Sequence, residues 1–189
     1  MPNWILNRLI ITDDYLKKYK SIIESYNEVV ISPIMNIITD YMFPTVAYAF
    51  EWMKEDEKRA KYQYDYRDDH DPILIDFEKI IPTGTDNSMI SSKKWGTSKI
   101  AFWCKKIDNN TIEFTSAWSP PLLVIQKLSK LFSPLHFHLY VIDIEGQEYA
   151  SSIEYLGNKL KTKKDYFWGS PQAEEICKIC NVDTKSEGE

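Results

Sequence analysis

The chain has 189 residues, which suits one domain with a sizeable core and no need of covalent staples. Hydrophobic residues at 43% and aromatic residues at 14% exclude global disorder. A formal charge of -5, from 23 Lys and Arg against 28 Asp and Glu, speaks against a generic nucleic-acid binder, which needs positive charge to neutralise phosphates.

Trp4 to Thr12 alternates in part, with Asn7, Leu9 and Ile11 on one face and Leu6, Arg8 and Ile10 on the other, so it reads as a strand. Asp13 then caps a helix whose stripe is Leu16, Tyr19, Ile22, Ile23 and Tyr26. Residues 27–70 read as a largely helical insertion. Pro44 stands near the first turn of a helix that carries Val46, Ala49, Phe50 and Met53 on one face and ends in a charge run. Tyr62, Tyr64 and Tyr66 would line one face of a strand and could stack bases; the plainer reading is an edge strand with wet hydroxyls. Asp68, Asp69, His70 and Asp71 are contiguous, and adjacent loop side chains rarely converge on one ion.

Ile73 to Ile81 reads as extended, and Thr83 to Ser88 as a turn or loop. Lys99–Ile107 and Thr111–Trp118 form a hairpin around Asp108-Asn109-Asn110. Ser119 is placed to cap a second helix, with Pro120 at its first position and Leu123, Val124, Leu128, Leu131 and Phe132 following at helical spacing. Leu135–Ile144 is a strand, Glu145-Gly146 a turn and Gln147–Leu156 a last strand. A basic loop over Gly157–Lys164, a short helix near Ala173–Cys180 and a polar tail over 181–189 complete the chain. The expected fold is α+β: one ferredoxin-like domain over 1–180, a split βαβ sheet with an added C-terminal strand and a helical insertion after the first helix.

Few residues offer chemistry. Cys104, Cys177 and Cys180 are too few for a disulfide framework, and Cys177-x-x-Cys180 is half a zinc site without its second half. His136-x-His138 puts two imidazoles on one strand face, so these two with Asp143 are the best available enzymatic or metal site. A single His pair lacks the second half of a two-histidine phosphoesterase. No phosphate-cradling glycine motif and no nucleophile elbow occur. Trp4, Trp95 and Trp118 fall at strand or loop ends. They form either a structural lid over one sheet end or an indole-lined groove.

Several stretches resemble a family of plasmid- and phage-encoded proteins with a YubB-type ferredoxin-like domain. They are Met1-Pro2-Asn3-Trp4 with Asn7, Leu9 and Ile11; Phe77 through Ile80-Ile81-Pro82; Trp95-Gly96-Thr97; and Phe114-Thr115-Ser116-Ala117-Trp118-Ser119-Pro120-Pro121 followed by Leu128-Ser129. Ile5 stands where that family usually has Cys, and Ser98-Lys99 where it tends to have Lys-Trp. The resemblance implies the fold and carriage on mobile elements, but no activity and no catalytic residues.

The sequence therefore points to a non-catalytic binding protein, with no cofactor and no metal, whose partner is a protein, for example a host protein that it inhibits. Candidate binding residues are Trp4, Trp95, Trp118, Tyr62, Tyr64 and Tyr66. The alternatives are a single-stranded nucleic-acid module using the tyrosine row and the Lys159–Lys164 segment, and a metal-dependent enzyme using His136 and His138. No run of about 18 apolar residues could span a membrane and no basic leader precedes Trp4, so a cytoplasmic location is expected.

Overall fold

A computed structural model describes residues 3–12, 75–108, 110–132 and 135–183. The helix expected after Asp13, the insertion over 27–70 and the row Tyr62, Tyr64, Tyr66 lie outside them. The described elements, in chain order, are β1 (Trp4–Thr12), α1 (Phe77–Ile80), α2 (Ser88–Trp95), β2 (Phe102–Lys106) and β3 (Thr111–Ala117), then α3 (Leu122–Leu131), β4 (His136–Asp143), β5 (Tyr149–Leu156), β6 (Lys159–Phe167) and α4 (Pro171–Ile179).

The strands form one antiparallel sheet in the order β2-β3-β1-β4-β5-β6. The first four give the ferredoxin-like arrangement: β1 and β2 run parallel with β3 between them, and β3 and β4 run parallel with β1 between them. Two strands, not one, extend the sheet beyond β4. The segment 157–164, expected as a basic loop, is a two-residue turn and most of β6. Gly157 and Asn158 both take positive φ (57° and 67°), the pair of left-handed residues that a type I′ hairpin turn requires.

Two further expectations are corrected. The stretch before Pro82 is not extended throughout, because Asp76 caps a short helix, its Oδ1 accepting from the backbone N–H groups of Glu78 (2.9 Å) and Lys79 (3.2 Å). That turn sets Phe77 and Ile80, three residues apart, against the core. Ser119 does not cap α3. Pro121 holds the cap position, and the Ser119 hydroxyl donates to the Gly96 carbonyl.

β1 alternates as its sequence requires. Ile5, Leu9 and Ile11 enter the main core with Phe114, Phe137, Leu139, Val141 and Ile153, under Phe77 from α1 and Val124, Ile125 and Leu128 from α3. Burying each such side chain contributes roughly 1.5–3 kcal/mol. On the opposite face, α4 packs Ala173, Ile176 and Cys177 over Ile142 and Ala150, with Leu6, Tyr140 and Tyr166 at the margin.

Arg8 ties that second layer to the sheet. It is only 5% exposed. Its Nε donates to Glu113 Oε2 at 2.9 Å, and its Nη2 bonds the same oxygen. The guanidinium also donates to the carbonyls of Ile179 and, at 3.1 Å, Cys180, at the C-terminal end of α4. Carbonyls at a helix C-terminus lack intrahelical partners and carry the negative end of the helix dipole, so a cation there is doubly favourable. Lys105 Nζ reaches Glu113 Oε1 at 3.1 Å from the exposed side.

Arg8→Ala would leave Glu113 buried without its inner partner and the α4 carbonyls without donors. The expected loss of unfolding free energy, measured by urea titration, is about 3–5 kcal/mol. A double replacement, Arg8→Met with Glu113→Met, should recover much of that loss, because no buried charge is left uncompensated.

Candidate binding surface

One end of the sheet gathers aromatic side chains. Trp4 opens β1 opposite Ala117, and Asn3, just before it, accepts the Trp118 backbone N–H at 2.7 Å. On the neighbouring β2 the register shifts between Phe102 and Lys105, and Trp103 sits in that irregularity with φ +46°. The Trp4 ring meets Phe102 edge-on at 5.1 Å and Trp103 at 4.8 Å. Phe102 is buried, while Trp103 is 44% exposed and Trp118 59% exposed.

Both exposed tryptophans occupy left-handed backbone, Trp118 with φ +70°. For a bulky L residue that region costs on the order of 1–2 kcal/mol, and such residues persist only where their surroundings fix them. The surroundings of Trp118 do so. The Thr97 hydroxyl donates to the Ala117 carbonyl at 2.8 Å, and the Ser116 hydroxyl donates to the Ser119 carbonyl at 2.9 Å. Asn7 Nδ2, fully buried, donates to Ser116 Oγ at 2.9 Å. Gly96 closes the network with φ +88°; a Cβ there would lie 3.2 Å from both Leu122 N and Pro120 O. Trp95-Gly96-Thr97 and the Ser116–Pro121 run thus form one hydrogen-bonded frame around Trp118.

Trp95 stands apart from the other two. Its ring is 3% exposed, meets Phe77 edge-on at 5.7 Å, and its Nε1 donates to the Ile81 carbonyl at 2.8 Å. Trp4 and Trp118 of the sequence reading lie at this sheet end, Trp4 in ring contact with Trp103 and Trp118 exposed just beyond Ala117, while Trp95 is in the core. Trp103 alternates with the buried Phe102 and Cys104 and shares exposure with Lys105, and that strand pattern was the signal that could have found it.

The histidine face is arranged differently from the sequence expectation. His136 and His138 share a face of β4, but Asp143, five residues on, falls on the other. Asp143 Oδ1 instead accepts the Gly146 backbone N–H at 2.9 Å in the β4–β5 turn. His138 lies across β5 with Nε2 2.8 Å from Ser152 Oγ and 4.0 Å from Glu154 Oε1, its ring 4.2 Å from that of Tyr140. Burial pushes its pKa below the ordinary 6.5, with Glu154 opposing. Among the described residues no three His, Cys, Asp or Glu side chains come together as a metal site. Cys177 and Cys180 are buried under α4, and burial raises both thiols, Cys180 to about 12, so neither is poised as a thiolate.

Residues 99–180 match the family model described as the ferredoxin-like domain in Api92-like protein. The matched stretch includes the Phe114–Pro121 run and ends with α4. No curated protein matches this chain. Among solved structures, the crystal structure of protein api92 from Yersinia pseudotuberculosis matches at 12% identity and a TM-score of 0.45, over 90% of this chain and 100% of that one.

The lowered His138 pKa fixes a sign. The unfolded chain takes up this proton near pH 6.5, before the folded protein does, so stability is full above that pH and falls as pH drops through the window below it. Urea titrations on either side of that window should show a smaller acid-induced loss in His138→Gln than in the unaltered protein.

Proposed function

We propose that this chain is a non-catalytic binding protein that docks a protein partner through Trp4, Trp103 and Trp118. The observation that carries the reading is the pair of exposed tryptophans held in left-handed backbone at one sheet end. Stability alone gives no reason to keep a bulky ring at such a position, since glycine would remove the strain. Tryptophan is also among the residues that most often dominate binding energy at protein interfaces.

The partner is a host protein, and the producing setting a mobile genetic element, in line with the plasmid and phage resemblance of the motifs. The compartment is the cytoplasm, which fits three buried cysteines that form no disulfide with one another. Among the described residues no helix is long and apolar enough to cross a membrane.

The test is capture from an extract of the host on immobilised full-length protein. Nuclease treatment should leave the captured protein in place. Trp103→Ala with Trp118→Ala should reduce capture at least about tenfold, whereas Phe167→Ala at the far edge should not. Equal capture by the double variant would overturn the assignment. Trp118→Gly separates binding from folding: it should lose the partner while unfolding free energy stays within about 1 kcal/mol of the parent, or rises, as strain is relieved.

A further inference from the structure

The outermost strand β6 carries a charge distribution unlike that of the whole chain. Lys159, Lys161, Lys163 and Lys164 fall within six residues on a protein of net charge -5. All four are exposed. Lys163 is paired with Asp165 at 3.5 Å; Lys159, Lys161 and Lys164 have no carboxylate within ion-pair distance among the described residues. The strand ends at Phe167, which is 86% exposed. At the other end of the strand, the α3 side chain Gln126 reaches toward the Asn158 carbonyl in the β5–β6 turn (3.5 Å), and Asn158 N donates to Ser129 Oγ at 3.3 Å. Lys130 is one turn beyond Gln126 and exposed, so it adds to the charge on the hairpin side of α3.

Edge lysines protect a sheet against pairing with another chain, and that accounts for some of this pattern. It does not account for Phe167, an apolar ring in solvent on the same edge, which works against that protection. From the row of charge and the bare ring together we infer that the edge of β6 is a track for single-stranded nucleic acid. Phosphates lie along Lys159, Lys161 and Lys164, and an unpaired base stacks on Phe167.

Three features favour this ligand over an acidic protein. The cations are all lysines, point charges suited to successive phosphates, and β6 has no arginine fork to match a carboxylate. They are strung along an extended edge strand open from both sides. Lys159 and Lys164, paired in register with Leu156 and Ser152, share one face, and Lys161 stands in the irregularity between Leu160 and Thr162, so the charges follow the strand as a linear polyanion would. The Phe167 ring, at the end of the strand and on the face opposite Lys164, offers stacking to a base that turns around the edge, which an unpaired base can do and a duplex cannot. The overall negative charge does not oppose local attraction, because a phosphate close to the strand feels mainly the charges within a Debye length, about 8–10 Å.

The experiment is a titration of fluorescently labelled oligo-dT and oligo-U, about 16 nucleotides long, with the full chain at low and raised salt. Binding should be measurable at low salt and weaken steeply as salt rises. Lys159→Glu with Lys161→Glu and Lys164→Glu should weaken it at least about tenfold and flatten the salt dependence. Phe167→Ala should weaken it about fivefold while leaving the salt slope intact. Trp103→Ala with Trp118→Ala should have no effect here, so the outcome is independent of the protein-docking reading. All four β6 side chains are exposed, and circular dichroism confirms that each variant is folded. No binding at low salt, unchanged binding by the triple variant, or displacement by polyglutamate as readily as by unlabelled oligonucleotide would each overturn the inference.

Discussion

The guanidinium of Arg8 is the contact on which the second layer of this fold depends. It sits on the middle strand region of a six-stranded sheet, with a buried carboxylate on β3 to one side and the C-terminal carbonyls of α4 above it. A ferredoxin-like sheet covered on one face only would leave Leu6, Ile142 and Ala150 to water. α4 covers them with a short apolar stripe, Ala173, Ile176 and Cys177. A nine-residue helix has little intrinsic stability of its own, so its packing and its ends decide whether it stays. Ser170 satisfies the start, its Oγ accepting from Ala173 N at 3.2 Å, and Arg8 satisfies the end. The charge is affordable in the interior because Glu113 balances it and Lys105 completes the carboxylate's contacts from outside.

The same reasoning explains a buried polar residue on the other face. Asn7 stands between Ile5 and Leu9, where a hydrocarbon would be the simpler choice. Its amide links the backbone of β1, at the Ile5 carbonyl (2.9 Å), to Ser116 and through it to the loop that carries Trp118. Only the Nδ2 of Asn7 is bonded; its buried Oδ1 has no partner among the described residues, so this link to the Trp118 loop carries a desolvation cost. The motif residues around Trp95-Gly96-Thr97 and Ser116–Pro121 thus have a structural role of their own: they hold a strained loop in one shape.

Much of the sheet was legible because period-two alternation is a strong signal where one face is buried. β1 and β4 show it; the hairpin of β2 and β3 was marked instead by the turn residues Asp108-Asn109-Asn110, since every residue of β3 is buried. β6 was not legible, because Lys-Leu-Lys-Thr-Lys-Lys-Asp-Tyr-Phe has no apolar face: an edge strand with both faces solvated has no need of one. Its signal was instead the Gly157-Asn158 pair, and the density of lysine obscured it. α2 was missed for a similar reason. Only Ser91 and Trp95 are buried, so no stripe marks it, and its evidence lay at the ends, in Asn87 and Gly96. Ser119 looked like a helix cap by position alone, but its hydroxyl is used across the loop at Gly96. The exposure of Trp103 follows the period of β2; what the sequence did not carry was its left-handed backbone and the register shift beside it, which belong to the pairing with β3.

Both outer strands of the described sheet carry features that discourage pairing. β2 has an irregular register and ends in Lys105-Lys106; β6 carries its four lysines. Such strands discourage the addition of a further strand. What is left for recognition is side chains: indoles at one sheet end, and ammonium groups with a single ring along the far edge. These two surfaces differ in kind. The indole surface is rigid, apolar and held in place by a bonded frame, which suits a shaped partner surface. The lysine edge is made of long, mobile cations, which suits a partner whose charge repeats along a line. Under both proposals, recognition falls where stability gains nothing: on strained tryptophans at one sheet end and on a bare phenylalanine with lysines along the far edge. That separation lets either surface be altered without disturbing the core or the Arg8 contact beneath α4.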